Sequence, residues 1–388
     1  MSKVKKKDNK KEITVNEPVI IKHTRNSALD VIRIVALFCV IAVHFFLNNG
    51  FYETSIGGKR ILIMVLMRTA FMISVPLFLL LTGYLMRKKE LSKKYYSGIK
   101  KTLSIYILAS LACLIYKVLF LNMNYSLFGI IKDILGFSLA KYSWYIEMYI
   151  GLFLLIPFLN LIYNNLKTKK EKQTLILTLL LLTSIPTITN IFNFNGKIGW
   201  EIFFDSSSSN KILPFWWNSI YPITYYFIGA YLSEFKIKIS KLLNIGLIIG
   251  SVLIFGLHNY FYSYGKFFNT GIHQNWGAIQ NVITSVLVFV FILNINFDKS
   301  NNNVKKVLKK ISDCCLGAYL VSFIFDDYLY KILNSNVAKV SDKLNYFVII
   351  VPVIFVCSII LSLLLNLLYD LLIKTFGKIK AKKLNKEC

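Results

Sequence analysis

The first long apolar run of the chain, residues 28–48, carries an arginine and a histidine eleven positions apart, Arg33 and His44. Ionisable side chains in the hydrocarbon region of a bilayer are costly, so they usually mark a pathway or a reaction centre. An imidazole can take a proton from a hydroxyl group, and a guanidinium can bind phosphate or stabilise a developing oxyanion. Eleven helical residues turn through about 1100°, close to three full turns, so both side chains lie on one helix face. Asp30, three residues before Arg33, can pair with it at the helix entrance.

Membrane-spanning helices have to position these residues. The chain has 388 residues, of which 55% are hydrophobic, and apolar runs recur throughout. Each run reaches about 20 residues, the length that crosses a bilayer. The sequence therefore predicts an all-α polytopic membrane protein with about ten transmembrane helices, near residues 28–48, 61–86, 102–121, 143–163, 174–192, 215–233, 242–260, 279–296, 311–333 and 346–373.

The basic residues predict the orientation of these helices. Segments on the side of the N-terminus hold 33 of the 46 Lys and Arg residues, and the opposite segments hold 9. By the positive-inside rule, both the N- and C-termini are predicted to be cytoplasmic. The net charge of +27 is therefore explained by membrane topology and by attraction to anionic lipid, rather than by binding to nucleic acid. Residues 1–27 and 374–388 are predicted to be basic cytoplasmic tails, the first of them disordered, around a membrane domain at 28–373.

The six cysteines form neither a disulfide framework nor a metal-binding spacing, so no metal is expected. Two segments predicted outside, 193–214 and 261–278, are rich in aromatic residues, Asn, Ser and Gly. Their tryptophans, Trp200 and Trp276, are candidates for stacking on the C–H faces of a sugar acceptor. An interfacial aromatic belt explains the same composition equally well.

Other ionisable residues leave alternatives open. Arg68 in the second span is expected to face the interior, with Glu147 as a candidate partner, although snorkelling to the surface is an alternative. Asp326 and Asp327 in the ninth span suit either structural hydrogen bonds or a catalytic role. Two further histidines are expected at the surface: His258 and His273.

Several motifs occur in the order typical of one family of integral membrane enzymes. Arg33, ten residues and then His44 match the signature of the family's first helix. The stretch VPLFLLLTGYLMR at 75–87 resembles the end of its second helix, with Gly83 and Tyr84 in a Gly-aromatic-Leu tripeptide.

Two later stretches extend the match. Residues 143–160 resemble the family's Trp-Tyr helix, with Trp144 as the tryptophan, and residues 311–323 resemble its late Gly-x-Tyr-Leu helix. On these motifs the chain is similar to the acyltransferase 3 family, as a stand-alone membrane domain without an appended soluble domain. The resemblance covers residues 28–333.

The resemblance implies a multi-pass enzyme of a bacterial plasma membrane. It would transfer an acyl group, usually acetyl, from cytoplasmic acetyl-CoA or another short acyl-CoA to a hydroxyl of an envelope polysaccharide or similar glycan. His44 and Arg33 are the implied catalytic pair, and Arg33, Lys100 and Lys101 would hold the donor. Whether His44 acts as a general base or first takes the acyl group stays open at this point, as do the acceptor and the oligomeric state.

The sequence departs from the family pattern at three places. Lys100 and Lys101 stand where many members have an Arg-x-x-Arg pair, and lysine keeps the charge without the bidentate fork that grips phosphate. Ser143 and Ser322 stand where many members have histidine, so the catalytic role falls on His44. A transporter or flippase of an envelope glycan or small solute is the alternative function, because it needs the same buried charges.

Overall fold

A computed structural model describes residues 25–205, 209–297 and 299–384 of the chain. Most of these residues are helical. The α-helices are α1 (Ser27–Asn48), α2 (Gly58–Phe71), α3 (Ser74–Met86), α4 (Lys93–Ser97), α5 (Ile99–Leu121), α6 (Leu127–Leu135), α7 (Trp144–Asn165), α8 (Lys169–Thr183), α9 (Pro186–Thr189), α10 (Glu201–Phe204), α11 (Tyr221–Glu234), α12 (Lys241–Tyr262), α13 (Ile279–Leu293), α14 (Asn302–Asn336), α15 (Val340–Lys343) and α16 (Phe347–Leu384). Three short 3₁₀ helices join them, at Trp216–Ile220, Ile272–Gln274 and Leu344–Tyr346.

The all-α polytopic membrane fold agrees with the sequence prediction. In the described part of the chain, 7 helical segments are long and apolar enough to cross a membrane by length and composition. They are Ser27–Asn48, Gly58–Met86, Lys93–Leu121, Trp144–Asn165, Lys169–Thr189, Lys241–Tyr262 and Val340–Thr375. The other three predicted spans coincide with α11 and α13, of 14 and 15 residues, and with the 35-residue α14.

The two predicted tails are described to different extents. Of the N-terminal tail, only residues 25–27 are described, and Ser27 already begins α1. The predicted C-terminal tail begins inside α16, which continues without a break to Leu384, and residues 385–388 lie beyond the description.

Helix α1 lies at the centre of the molecule. Within its most apolar stretch 67% of the residues are buried, a larger share than in any of the other six candidate spans. One face contributes Leu37, Ile41 and Phe45 to a core shared with α5, α14 and α16. Another contributes Ile32 and Ala36 to a core shared with α3, α7, α11 and α13. A helix buried on two sides can present polar groups to interior cavities.

The second predicted span, 61–86, consists of two helices that meet at a break. Pro76 has no N–H, so the hydrogen bond from residue 76 to residue 72 is missing, and α2 ends before α3 begins at Ser74. Farther along α3, Gly83 lies against the backbone of α11. A Cβ at Gly83 would sit 1.9 Å from the carbonyl oxygen of Tyr226, so only glycine permits this approach.

Candidate active site

His44 on α1 and Asp326 on α14 form a buried pair. The His44 Nδ1 and Asp326 Oδ2 atoms are 2.9 Å apart, and the two side chains are 9% and 2% exposed. A carboxylate that accepts the Nδ1 proton leaves the Nε2 lone pair free, as in Ser-His-Asp triads. Asp326 therefore fixes the orientation of the imidazole, and its Nε2 atom can accept a proton. Sequence reasoning left Asp326 between a structural and a catalytic role, and its contact with His44 across 282 positions favours the second.

Tyr142 holds this pair in place. Its hydroxyl donates to the same Asp326 oxygen at 2.8 Å, and its ring stacks on the His44 imidazole with centroids 3.8 Å apart. The Asn48 amide donates to the Tyr142 hydroxyl and to the His44 carbonyl oxygen, at 3.2 and 2.9 Å. The Tyr319 hydroxyl donates to the backbone carbonyl of Tyr142. Sequence reasoning missed Tyr142, which precedes α7 and carries no motif.

His44 lines a cavity of about 510 Å³, here called the histidine cavity. Arg68 lines it too and is 3% exposed. The Arg68 Nε donates to the Tyr52 hydroxyl at 2.9 Å and its Nη1 to the Gln274 side-chain oxygen, while its guanidinium carbon lies 4.6 Å from the centre of the Phe268 ring. The cavity thus combines a candidate base with a fixed positive charge.

The proposed partner of Arg68 was wrong. Glu147 is exposed and lies outside the histidine cavity, whereas Tyr52 and Gln274 satisfy the guanidinium. Gln274 belongs to the short 3₁₀ helix between α12 and α13, which the sequence pattern gave no reason to place beside α2. The expectation that Arg68 faces the interior holds.

Two tryptophans form an aromatic wall of the histidine cavity. Trp144 and Trp276 both line it, and their rings stack with centroids 6.1 Å apart and planes 20° from parallel. Trp200 does not line it: that side chain is 79% exposed and packs on Phe203. Of the two acceptor candidates, only Trp276 is therefore near His44.

Arg33 lines a second cavity of about 370 Å³, here called the arginine cavity. Its Nη1 donates to Asp30 and to the Ser312 hydroxyl, both at 3.2 Å. Asp30, buried, also accepts hydrogen bonds from the Nε and Nη2 atoms of Arg25, and Arg25 in turn pairs with Asp313. The pair of Asp30 and Arg33 matches the sequence prediction. The hydrogen bonds from Arg25 to Asp30 were not predicted.

The two cavities share part of their walls. Val40, Val75 and Tyr319 line both of them, and all three side chains are buried. Val40 lies on α1 between Arg33 and His44, one turn before the histidine. The column of polar residues on α1 thus runs from one cavity into the next.

The remaining predicted site residues line neither cavity. Lys100 and Lys101 are exposed in the first turn of α5, and the Lys101 amine lies 5.9 Å from the centre of the Tyr369 ring. Gly83 lies in the contact between α3 and α11, and the Tyr84 ring packs near Phe289 with centroids 5.8 Å apart. The structure assigns packing contacts to these two, and solvent-facing positions to the lysines.

The expectation of a surface position for His273 was wrong. It is buried beside His258 in a third, mostly apolar cavity of about 210 Å³. Burial, with positive charge on His258 and Arg68 adding to it, lowers the pKa of His273 to about 3. His273 therefore stays neutral at physiological pH.

The fold and the site define a class: a polytopic membrane protein with an aspartate-oriented histidine in one of two adjoining cavities. A family model described as an acyltransferase domain matches residues 26–368, nearly the whole of the chain. The chain therefore belongs to the acyltransferase 3 family and is a membrane acyltransferase. No curated protein and no solved structure matches it.

Proposed function

We propose that this protein is an acyl-CoA-dependent O-acyltransferase of the plasma membrane, with an envelope polysaccharide or related glycan as acceptor. The acyl group is short, with acetyl as the first candidate. The observation that carries the proposal is the pair of cavities that share Val40, Val75 and Tyr319, one holding Arg33 and the other His44. Such an arrangement suits a donor and an acceptor that approach one reaction centre from opposite sides.

The orientation of the protein in the membrane is inferred from the distribution of its Lys and Arg residues. Ten helices with both termini in the cytoplasm place most Lys and Arg residues inside. In this topology α1 enters the membrane from the cytoplasm, so the arginine cavity is on the cytoplasmic side and the histidine cavity on the outer side. In this topology the short helices α11 and α13 also cross the membrane. Both pack against α3, so neighbouring helices surround them.

The arginine cavity is suited to the donor. Its walls are largely apolar and fit the pantetheine arm of CoA, while Arg33 supplies charge at 27% side-chain exposure. Lys100 and Lys101 lie next to Thr102, which lines this cavity, and their exposed amines can attract the phosphates of CoA. As compact ammonium groups they act mainly as point charges rather than as a fork.

The histidine cavity is suited to the acceptor and to the transfer step. Nε2 of His44 takes the proton of the acceptor hydroxyl as that oxygen attacks the thioester carbonyl. Asp326 stabilises the imidazolium that forms, and Arg68 provides positive charge near the developing oxyanion. The stacked faces of Trp144 and Trp276 offer a surface for the C–H face of a sugar ring.

The test is ester formation by purified protein. Labelled acetyl-CoA and cell-envelope polysaccharide are incubated with the wild type, with His44→Ala and with His258→Ala as the matched histidine control. We expect base-labile label on the polysaccharide for the wild type and the control, and a loss of about 10²- to 10⁴-fold in His44→Ala. Transfer at the wild-type rate by His44→Ala, at equal protein level, contradicts the proposal.

A further inference from the structure

A buried hydroxyl in the histidine cavity has no role in the mechanism above. Ser74 lines this cavity together with His44 and has no exposed surface. Its Oγ is buried and has no hydrogen-bond partner in the described part of the chain. A buried polar group without a partner costs free energy, and each such group in a native protein calls for an explanation, of which a catalytic role is one.

The position of Ser74 in the fold is the second observation. It is the first residue of the 13-residue helix α3, which starts there because Pro76 interrupts the helical hydrogen bonds. Val75, the next residue, lines both cavities, so Ser74 lies at their shared wall. In the proposed function, a thioester carbonyl from the arginine cavity meets the acceptor at this wall.

We propose that Ser74 is an oxyanion donor of the acyl transfer, a role that rests on the proposed function. The acceptor oxygen bonds to the thioester carbon while His44 takes the hydroxyl proton, and the carbonyl electron pair moves onto oxygen. The Ser74 hydroxyl donates a hydrogen bond to that oxygen. Collapse of the intermediate breaks the C–S bond, and the thiolate of CoA leaves and receives the proton that His44 holds.

Donation to an oxyanion fits Ser74 better than nucleophilic attack. A serine nucleophile needs a base that accepts its proton, and none of the described side chains accepts a hydrogen bond from its Oγ. The base of this site, His44, is oriented by Asp326 and takes the proton of the acceptor hydroxyl instead. Arg68, held by hydrogen bonds to Tyr52 and Gln274, lines the same cavity and supplies its positive charge.

The test compares three variants in the ester-forming assay. Ser74→Ala removes the donor, and Ser74→Thr retains it. Ser358→Ala is the matched control, because Ser358 is equally buried, its hydroxyl is also unpartnered among the described residues, and it lines neither cavity. Loss of one oxyanion donor lowers kcat by about 10²- to 10³-fold. We expect this loss in Ser74→Ala, with the KM values for acyl-CoA and acceptor and the pH profile of kcat unchanged.

The outcomes separate the two proposals. A low kcat in Ser74→Ala with most activity retained in Ser74→Thr and Ser358→Ala supports the oxyanion role. Equal kcat values for Ser74→Ala and Ser358→Ala overturn it, as does a loss confined to KM, or an equal loss in the Ala and Thr variants. A wild type that forms no ester from any short acyl-CoA overturns the proposed function itself.

Discussion

Replacing Asp326 by asparagine tests the histidine–aspartate pair most closely. Asp326 is 1% exposed, and its Oδ2 accepts hydrogen bonds from both His44 and Tyr142. An asparagine at this position can donate its amide to Nδ1, which moves the imidazole proton to Nε2 and removes the lone pair that accepts the hydroxyl proton. The same exchange in a Ser-His-Asp triad lowers kcat by about 10⁴-fold.

We therefore expect Asp326→Asn to lower kcat by about 10²- to 10⁴-fold, or about 3 to 5 kcal/mol of transition-state stabilisation. The KM for acyl-CoA should stay unchanged, because Asp326 lines neither of the two large cavities. The assay is the rate of base-labile ester formation from labelled acyl-CoA at matched protein level.

Asp327→Asn is the matched control. Asp327 is the next residue on α14 and accepts hydrogen bonds from the Tyr116 hydroxyl and the Lys331 amine, at 2.8 and 2.7 Å. Lys331 is 60% exposed, so this ion pair contributes less than about 1 kcal/mol. Near-wild-type kcat in Asp326→Asn, or equal losses in both variants, refutes the assignment of Asp326 as the residue that orients His44.

Three further predictions concern the donor side and the fold. Arg33→Ala should weaken acyl-CoA binding more than Arg33→Lys, which keeps the charge but loses the fork; equal affinities of both variants and the wild type, by titration of the purified proteins, would reduce Arg33 to a structural partner of Asp30. Joint replacement of Lys100 and Lys101 by alanine should raise the KM for acyl-CoA with little change in kcat, because phosphate attraction is a binding contribution; steady-state kinetics that show an unchanged KM contradict the assignment. Gly83→Ala should destabilise the protein by about 1 to 3 kcal/mol through overpacking, seen as a lower Tm, whereas Gly151→Ala meets no atom within 4 Å and should be neutral; equal Tm values for the two variants refute the packing argument.

Local pattern predicted those features of the site that depend on a single helix. The spacing of Arg33 and His44 on an apolar run was enough to place them on α1, and the three-residue interval gave the pair of Asp30 and Arg33. The Gly-aromatic-Leu tripeptide marked Gly83, and the structure shows the physical reason, a backbone approach that a Cβ would block.

Contacts between segments that are distant in the chain could not be predicted from the sequence. The partner of His44 lies on α14, and that of Arg68 lies in a loop 206 positions away. Helix periodicity says which face is apolar but not which neighbour covers it, so Glu147 is predicted as the partner of Arg68 only because both residues lie near the outer ends of their predicted spans. The break before Ser74 was not predicted either, because an apolar run that contains a single proline still has the length and composition of one continuous span.

In the proposed mechanism, donor and acceptor meet from opposite faces of the membrane at His44. Right-side-out vesicles loaded with labelled acetyl-CoA, with polysaccharide added outside, measure this directly. We expect base-labile label on the external polysaccharide for wild type, none when acetyl-CoA is instead supplied outside to empty vesicles, and none with His44→Ala in either arrangement. Acylation that requires acetyl-CoA on the same outer face as the polysaccharide would contradict it.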